Sequence, residues 1–514
     1  MNLLSTPRRI SLALGFTRFL KMILGLVVLY LSVKYFGTTF QRDSWVLSIA
    51  FWGIVIFSLY SPINETFRTK FIFLRNQEGE ESAMKSVNSL MNYFNLSYLV
   101  VAIIVFFCIG PITSLLAKGF DDGMRNYLSI MIFSLIPYFM LQQHSSVLIA
   151  LLNTYESYFY PEIIALLASL INILSIIFLS DLLGIYSLIV ATTLNGLILV
   201  SVLSCMLRRK VSYFHLFSLE KVKGAKPFVM FSLPMYLSTI CAQVYIFVEK
   251  SLCTYFGEGA VSVFDYARQI TNLPHIVFSS IVPIVMTPLL SMAFINGKED
   301  EFSDELRRFL RLLLCLTGII VIIMKVNAEQ VSCILFSHTH EQFINVLGYL
   351  SLAILCLIFT LICGQALIAR NKVLNYVVGV IVGNLVSIFL SLFLLDTSYH
   401  LETLALYYFI GQFTSGLIVL YSLDVKRKIL VFKDLIIIVG SLLITYYGSN
   451  AFHYLVKDTI LASGDKICMI LDIVLCAIIV FLILLCSLLI FSGEERKTAY
   501  DLFGRFNHKW FKHR

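Results

Sequence analysis

The sequence predicts an all-α polytopic membrane protein with about fourteen transmembrane helices. Three observations predict it. Hydrophobic residues make up 59% of the 514 positions, and the mean hydropathy is +0.86. Charged residues are only 14%, against about 25% in soluble domains, which need a polar surface. Apolar stretches of about 20 residues recur from end to end, the length that crosses a bilayer as a helix. Lipid offers backbone N–H and C=O groups no partner, so a helix must satisfy them internally.

Taken in order, the apolar runs place spans at 12–35, 42–62, 90–116, 127–152, 160–180, 183–206, 227–251, 258–293, 308–327, 343–369, 373–395, 401–423, 431–453 and 467–492. The connecting loops alternate in charge. One set carries Arg8 and Arg9, then Arg68, Lys70, Arg75 and Lys85, then a basic group from Arg208 to Lys226. It continues with Lys298, Arg307 and Arg308, with Arg370 and Lys372, with Lys426, Arg427 and Lys428, and with a basic tail over 493–514. The opposite loops are poorer in Lys and Arg. The positive-inside rule then puts both termini in the cytoplasm, in agreement with an even number of spans. Topology accounts for the net charge of +8, so no nucleic-acid partner is expected.

Chemistry motifs are missing. The segment after Arg8 and Arg9 is too long and lacks a small-residue cleavage site, so no signal peptide is expected. The 11 cysteines are scattered without a C-x-x-C pair, which suggests neither zinc nor a disulfide framework. There is no phosphate-binding G-x-x-x-x-G-K-[ST], no H-E-x-x-H and no G-x-S-x-G. His338 and His340 have no third or fourth ligand nearby in sequence and read as a solvated loop pair. The reading is therefore a secondary transporter, not an enzyme, with no metal and no cofactor, and with coupling to a monovalent ion or to the membrane potential left open.

An internal repeat points the same way. Tyr35-Phe36-Gly37 ends the first span, and Tyr255-Phe256-Gly257 ends the seventh. Asn172 and Ser175 in the fifth span echo Asn384 and Ser387 in the eleventh. Two six-helix lobes follow, 1–206 and 207–423, with two further helices over 424–492. Transporters built from such repeats bind substrate at the repeat interface.

"GEGAVSVFDYARQITNLPHIVFSSIVPIVMTPLLS", Gly257 to Ser291, resembles the seventh and eighth helix signature of the MurJ/MviN family, with Tyr266-Ala267-Arg268, Leu273-Pro274 and Pro288-Leu289-Leu290-Ser291. Gly119-Phe120-Asp121, Pro137-Tyr138 and Leu152-Asn153 resemble its third loop and fourth helix, and Leu24-Gly25, Phe36-Gly37 and Asp43 keep roughly its early spacing. The resemblance covers about the first 430 residues. It implies a flippase of the multidrug/oligosaccharidyl-lipid/polysaccharide (MOP) superfamily in the bacterial cytoplasmic membrane, acting as a monomer. Such proteins move an undecaprenyl-pyrophosphate-linked saccharide to the outer leaflet by alternating access. It also implies a central cavity between the lobes and a lipid-tail groove beside the last two helices.

The chain departs from the family where cationic residues are expected. Met22 and Val28 stand at two arginine positions of the first helix, Leu29 at an aspartate position, and Ile56 near an arginine of the second. Arg268 is the arginine kept near its motif position and is the first candidate for gripping the pyrophosphate. Lys21 and Arg18 are candidates to replace the missing charge, since intramembrane charge is functional by default. Asp265, one turn from Arg268, is a candidate to orient it. Glu249 and Lys250 read equally as cavity charges or as an interface pair. Asp43, Asn64, Glu65 and Arg68 read as gating contacts or solvated edges. The missing arginines turn the preferred cargo from lipid II to a lipid-linked polysaccharide repeat unit, with lipid II as the alternative. A cation-coupled multidrug exporter of the same superfamily is a further alternative.

Overall fold

The computed structural model describes residues 7–155, 157–211, 214–215, 221–233, 236–393, 400–423, 425–463 and 466–491. The basic tail expected at 493–514 lies outside them, as do the side chains of Arg8, Arg9, Lys210 and Lys426 to Lys428. Among the described residues there are helices and no strands. Eleven helices are long and apolar enough to cross a membrane, or twelve if a bent pair counts as one. These twelve match twelve of the expected spans. Of the other two, 227–251 includes two positions outside the described residues, and 258–293 is helical from Ala260 onward.

The chain divides into two compact units, Met1–Tyr266 and Ala267–Arg514. In the first, α1 (Pro7–Phe36) packs on α6 (Phe159–Leu183), which packs on α7 (Tyr186–Lys210). The central element is α2 (Phe40–Glu78), flanked by α3 (Glu80–Leu116), α4 (Asp122–Ser134), α5 (Ile136–Thr154), α8 (Lys226–Ser232) and α9 (Tyr236–Cys253). At 1.5 Å per residue, the 39 residues of α2 extend about 58 Å, nearly twice the ~30 Å hydrocarbon layer. Thr39 starts it by accepting the Arg42 N–H, and Gly79, at φ +87°, separates it from α3. Large apolar side chains such as Phe107, Phe178 and Leu182 are exposed. On a membrane helix this is the face that meets lipid.

The bent pair is α4 and α5, which meet at 40°. Pro137, at the start of α5, has no N–H to donate and cannot continue α4 without a clash. Side chains supply hydrogen-bond donors around the break. The Trp52 indole N–H donates to the Ile132 carbonyl and the Tyr98 hydroxyl to the Ile136 carbonyl, each at 2.8 Å. Trp52 stacks on Tyr98 and Phe139, which fixes both donors in place.

The helix α10 (Ala260–Ile295) runs unbroken through Pro274, Pro283 and Pro288, and the unit division falls within it. In the second unit, α11 (Glu299–Val326) leads into the short α12 (Ala328–Phe336). Next come α13 (Glu341–Ala369), α14 (Val373–Phe393), α15 (Glu402–Tyr421), α16 (Val425–Ser463) and α17 (Lys466–Phe491). The helix α13 packs on α11 and α15, while α16 joins α11 to α17. The helices α14 and α15 approach closely. A Cβ on Gly383 would stand 2.6 Å from the Ser415 Cβ and 2.7 Å from the Gly411 carbonyl, the small-residue packing that membrane helices use.

Candidate functional site

The start of α2, the end of α9 and the start of α10 meet around a group of buried charges in the first unit. Gly257 and Gly259 both take positive φ, which swings the chain from α9 into α10. Gly259 has a second reason to be glycine, since a Cβ there would lie 2.6 Å from the Thr38 carbonyl oxygen. The turn aims the first N–H groups of α10 at Asp43, which is fully buried. Its carboxylate accepts the Gly259 and Ser262 N–H groups, both at 2.7 Å, and the Ser262 hydroxyl at 2.5 Å. A carboxylate at a helix N-terminus is favoured by both the unpaired N–H groups and the helix dipole. Asp43 is thus a buried cap tying α2 to α10, and the expectation of a solvated edge is corrected for it.

Beside it lies Arg42, only 4% exposed. Its Nε donates to the Tyr266 hydroxyl at 3.0 Å, and its guanidinium sits 5.0 Å from the centre of that ring. Tyr266 in turn donates to the Gly37 carbonyl at 3.0 Å. Asp265 receives Lys250 Nζ at 3.1 Å and lies 3.6 Å from Arg42. Lys250 is therefore buried and ion-paired. Glu249 is buried too and accepts the Tyr245 hydroxyl at 2.5 Å. The Glu258 carboxylate adds a bond from the Phe40 N–H at 2.9 Å. The arrangement fastens elements that are far apart in sequence.

The remaining candidates are dispersed. Arg268, in the second unit, places its guanidinium 4.3 Å from the centre of the Tyr408 ring. Stacking uses the face of a guanidinium, while its N–H donors lie in the plane, where a carboxylate or phosphate is bound. Arg18 is about half exposed and lies 3.5 Å from Glu162. Lys21 is exposed. Asn64 and Gln143 exchange two amide hydrogen bonds, each at 3.1 Å, joining α2 to α5. Glu65 is exposed and accepts from Ser61 at 3.1 Å, one turn back on the same helix. Arg68, also exposed, donates to the Tyr158 hydroxyl at 2.8 Å.

Sequence reasoning missed two further groups, both in the second unit. Asp434 is fully buried between two arginines of α11, with Arg307 at 2.8 Å and Arg311 at 2.6 Å. An aspartate at the head of an apolar run demands a counter-ion, and that was the available signal. Gln330, His453 and Asp472 form a second buried polar group at the junction of α12, α16 and α17. Among the described residues no group of three His, Cys, Asp or Glu side chains is arranged to hold a metal ion.

Comparison with known proteins gives a consistent result. A family model described as lipid II flippase MurJ matches residues 32–475. A lipid II flippase MurJ from Burkholderia cenocepacia is 21% identical over 348 residues, covering 66% of this chain and 66% of that protein, just under two thirds of its length. Among solved structures, the inward closed conformation of a lipid II flippase MurJ superposes with a TM-score of 0.75 at 19% identity. It covers 94% of this chain and 98% of the other. An inward-facing multidrug resistance MATE family transporter of the MOP superfamily gives 0.62 at 15% identity, over 80% of this chain and 95% of that one. At these identities the solved structures establish the shared fold.

Proposed function

The chain belongs to the lipid II flippase MurJ family, and on that premise we propose that it flips an undecaprenyl-pyrophosphate-linked saccharide from the cytoplasmic to the outer leaflet by alternating access. The observation that carries the reading is the family match over residues 32–475. The match favours lipid II as cargo. A lipid-linked polysaccharide repeat unit is the second reading, and a specific observation favours it. Met22, Val28 and Ile56 stand where the resemblance leads one to expect arginines, and Ile56 is packed away in the helix bundle.

Pyrophosphate carries at least two negative charges, so its passage needs charge-assisted donors. Arg268 is assigned the principal contact, because it is an intramembrane arginine whose stacking on Tyr408 holds the guanidinium plane. Exposed Lys21, and Arg18 when it leaves Glu162, are the candidate cations of the first unit. Asp43, Asp265, Lys250 and Glu249 are assigned a fastening role at the α2–α10 junction, not cargo contact. Their charges are already engaged by Arg42, by each other, or by backbone and hydroxyl donors. Asn64, Glu65 and Arg68 are assigned to the α2 edge against α5 and α6. The termini are assigned to the cytoplasm from the loop charges. Outward movement of each cargo charge down a potential positive outside releases about 2.3 kcal/mol per 100 mV.

The test is complementation. A host depleted of its own lipid II flippase is supplied with this chain, and copurified lipid is identified by native mass spectrometry. Rescue of growth with bound lipid II supports the first reading. No rescue, with a different undecaprenyl-linked saccharide bound, supports the second. No bound undecaprenyl lipid in either case sinks both. Arg268→Ala is expected to abolish transport, and normal flipping by that variant ends its assigned role.

A further inference from the structure

The helices α5 and α7 of the first unit pack together, and they touch at Gly196, where an added Cβ would lie 3.1 Å from the Leu141 Cβ. From Leu141 a cavity of about 510 Å³ runs along α7 as far as Arg208 and Arg209. Its volume is that of a ligand site, and its walls are mostly apolar. On α7 the lining positions Leu197, Val200, Ser201, Ser204 and Arg208 recur every three or four residues, so they share one face of the helix.

Polarity is graded along that face. Leu197 and Val200, with Leu141 of α5, make the inner end apolar. The Ser201 and Ser204 hydroxyls follow, and the buried Ser204 Oγ has no hydrogen-bond partner. Arg208 and Arg209 come last, both exposed in the final turn of α7. At 1.5 Å per residue, the rise from Leu197 to Arg208 is about 16 Å. One leaflet is about 15 Å deep, half of the ~30 Å hydrocarbon layer. The order of chemistry and the depth are those of a glycerophospholipid standing in its leaflet, with a chain, then ester groups, then a phosphate.

The charge at the polar end selects among lipids. Two guanidiniums carry two full positive charges, while the C-terminal end of a helix dipole contributes only about half a negative one. Among the described residues no acidic side chain lines the cavity, and neither arginine is in an ion pair. The polar end therefore favours a head group of net negative charge, and the guanidinium forks suit phosphate oxygens. A soluble anion would leave the apolar half of the groove unused, and an uncharged lipid would leave the arginines unused. The loop charges assign this end of α7 to the cytoplasmic side.

We infer that the α5–α7 groove binds one anionic glycerophospholipid of the cytoplasmic leaflet, with an acyl chain along Leu197 and Val200 and the phosphate at Arg208 and Arg209. This goes beyond the transport reading and does not depend on which saccharide is carried. The test uses the full chain in phosphatidylcholine nanodiscs. The probe is phosphatidylglycerol with a photoactivatable diazirine in one acyl chain, and crosslinked peptides are mapped by mass spectrometry. Labelling of the 197–205 segment is expected to saturate and to be displaced by unlabelled phosphatidylglycerol. Each arginine beside an anionic lipid contributes about fivefold in affinity. Arg208→Gln combined with Arg209→Gln should therefore raise half-saturation about 25-fold, and the paired lysine substitutions should raise it far less. Ser201→Trp, at an exposed position, should fill the groove and abolish the label without lowering the melting temperature. Labelling that never saturates, or that is equal with a diazirine phosphatidylcholine, is ordinary lipid contact and overturns the inference. So does an unchanged half-saturation in the paired glutamine variant. Displacement by undecaprenyl phosphate at lower concentration than by phosphatidylglycerol also overturns it, by giving the groove to the cargo's carrier lipid.

Discussion

Replacing Asp43 with asparagine should release the start of α10 without disturbing distant helices. The carboxylate accepts the Gly259 N–H on Oδ2 and both Ser262 donors on Oδ1. Asparagine keeps one neutral acceptor and presents an NH2 where Oδ2 stood. The Gly259 bond is then lost, and the two Ser262 bonds weaken by roughly half. Hydrogen bonds to charged groups contribute about 1.5–3 kcal/mol each, so at the low end of that range the net loss is about 3 kcal/mol. Every 1.4 kcal/mol is about tenfold in an equilibrium constant. Local opening of the 257–264 segment should therefore increase about 100-fold. Hydrogen–deuterium exchange read by mass spectrometry measures that opening directly. Peptides spanning Gly259 and Ser262 should exchange about 100-fold faster in Asp43→Asn, and peptides from α14 should not change. Ser262→Ala removes only the hydroxyl bond and, at about 1.5 kcal/mol, should speed exchange by about tenfold. A change below about threefold in Asp43→Asn refutes the reasoning. So does equal acceleration in α14, which signals general loosening.

Asp434→Asn removes the carboxylate charge that Arg307 and Arg311 share. Breaking a buried pair costs about 3–5 kcal/mol, and the partial exposure of both arginines puts this case near 3. A lowered melting temperature in bilayers, recovered when both arginines are also replaced by leucine, is the expected result. Asn64→Ala and Gln143→Ala each lose the same two-bond amide exchange. Their destabilisations, about 1–2 kcal/mol each, should therefore fall well short of additivity in a double-mutant cycle. His340 lies in the loop before α13, where burial and the nearby His338 hold its pKa below the ordinary 6.5. The unfolded chain then binds a proton that the folded chain rejects. Its contribution to stability is present above about pH 6.5 and is lost as pH falls through the folded value. His340→Gln should flatten the acid side of a melting-temperature profile.

The membrane helices were legible because each needs about 20 apolar residues in a row, a signal carried by contiguous sequence. The α4–α5 pair reads as one apolar run in the sequence, since a bend does not interrupt it. The short α12 was not seen, being too brief to register as a span. The pairing of charges was less legible still. Arg42 opens α2, while Arg307 and Arg311 lie in the first half of α11, and nothing in the local sequence names their acidic partners. Those pairings depend on how the helices are rotated and packed. Asp43 shows the same limit. Its carboxylate is a cap only because Gly257 and Gly259 turn α10 towards it, and those glycines lie more than two hundred residues along the chain.

The bend at Pro137 carries a consequence for how this sequence can change. Straightening the helix by replacing the proline would move the Ile132 and Ile136 carbonyls away from the positions the bend gives them. Two aromatic donors would then lose their acceptors, in a medium with no water to receive them. Losing Trp52 or Tyr98 while keeping the proline removes a donor from the bend instead. Each single step is penalised, whichever comes first. Residues 52, 98 and 137 are therefore expected to be inherited as a set, exchanged together or not at all, although they sit on three different helices.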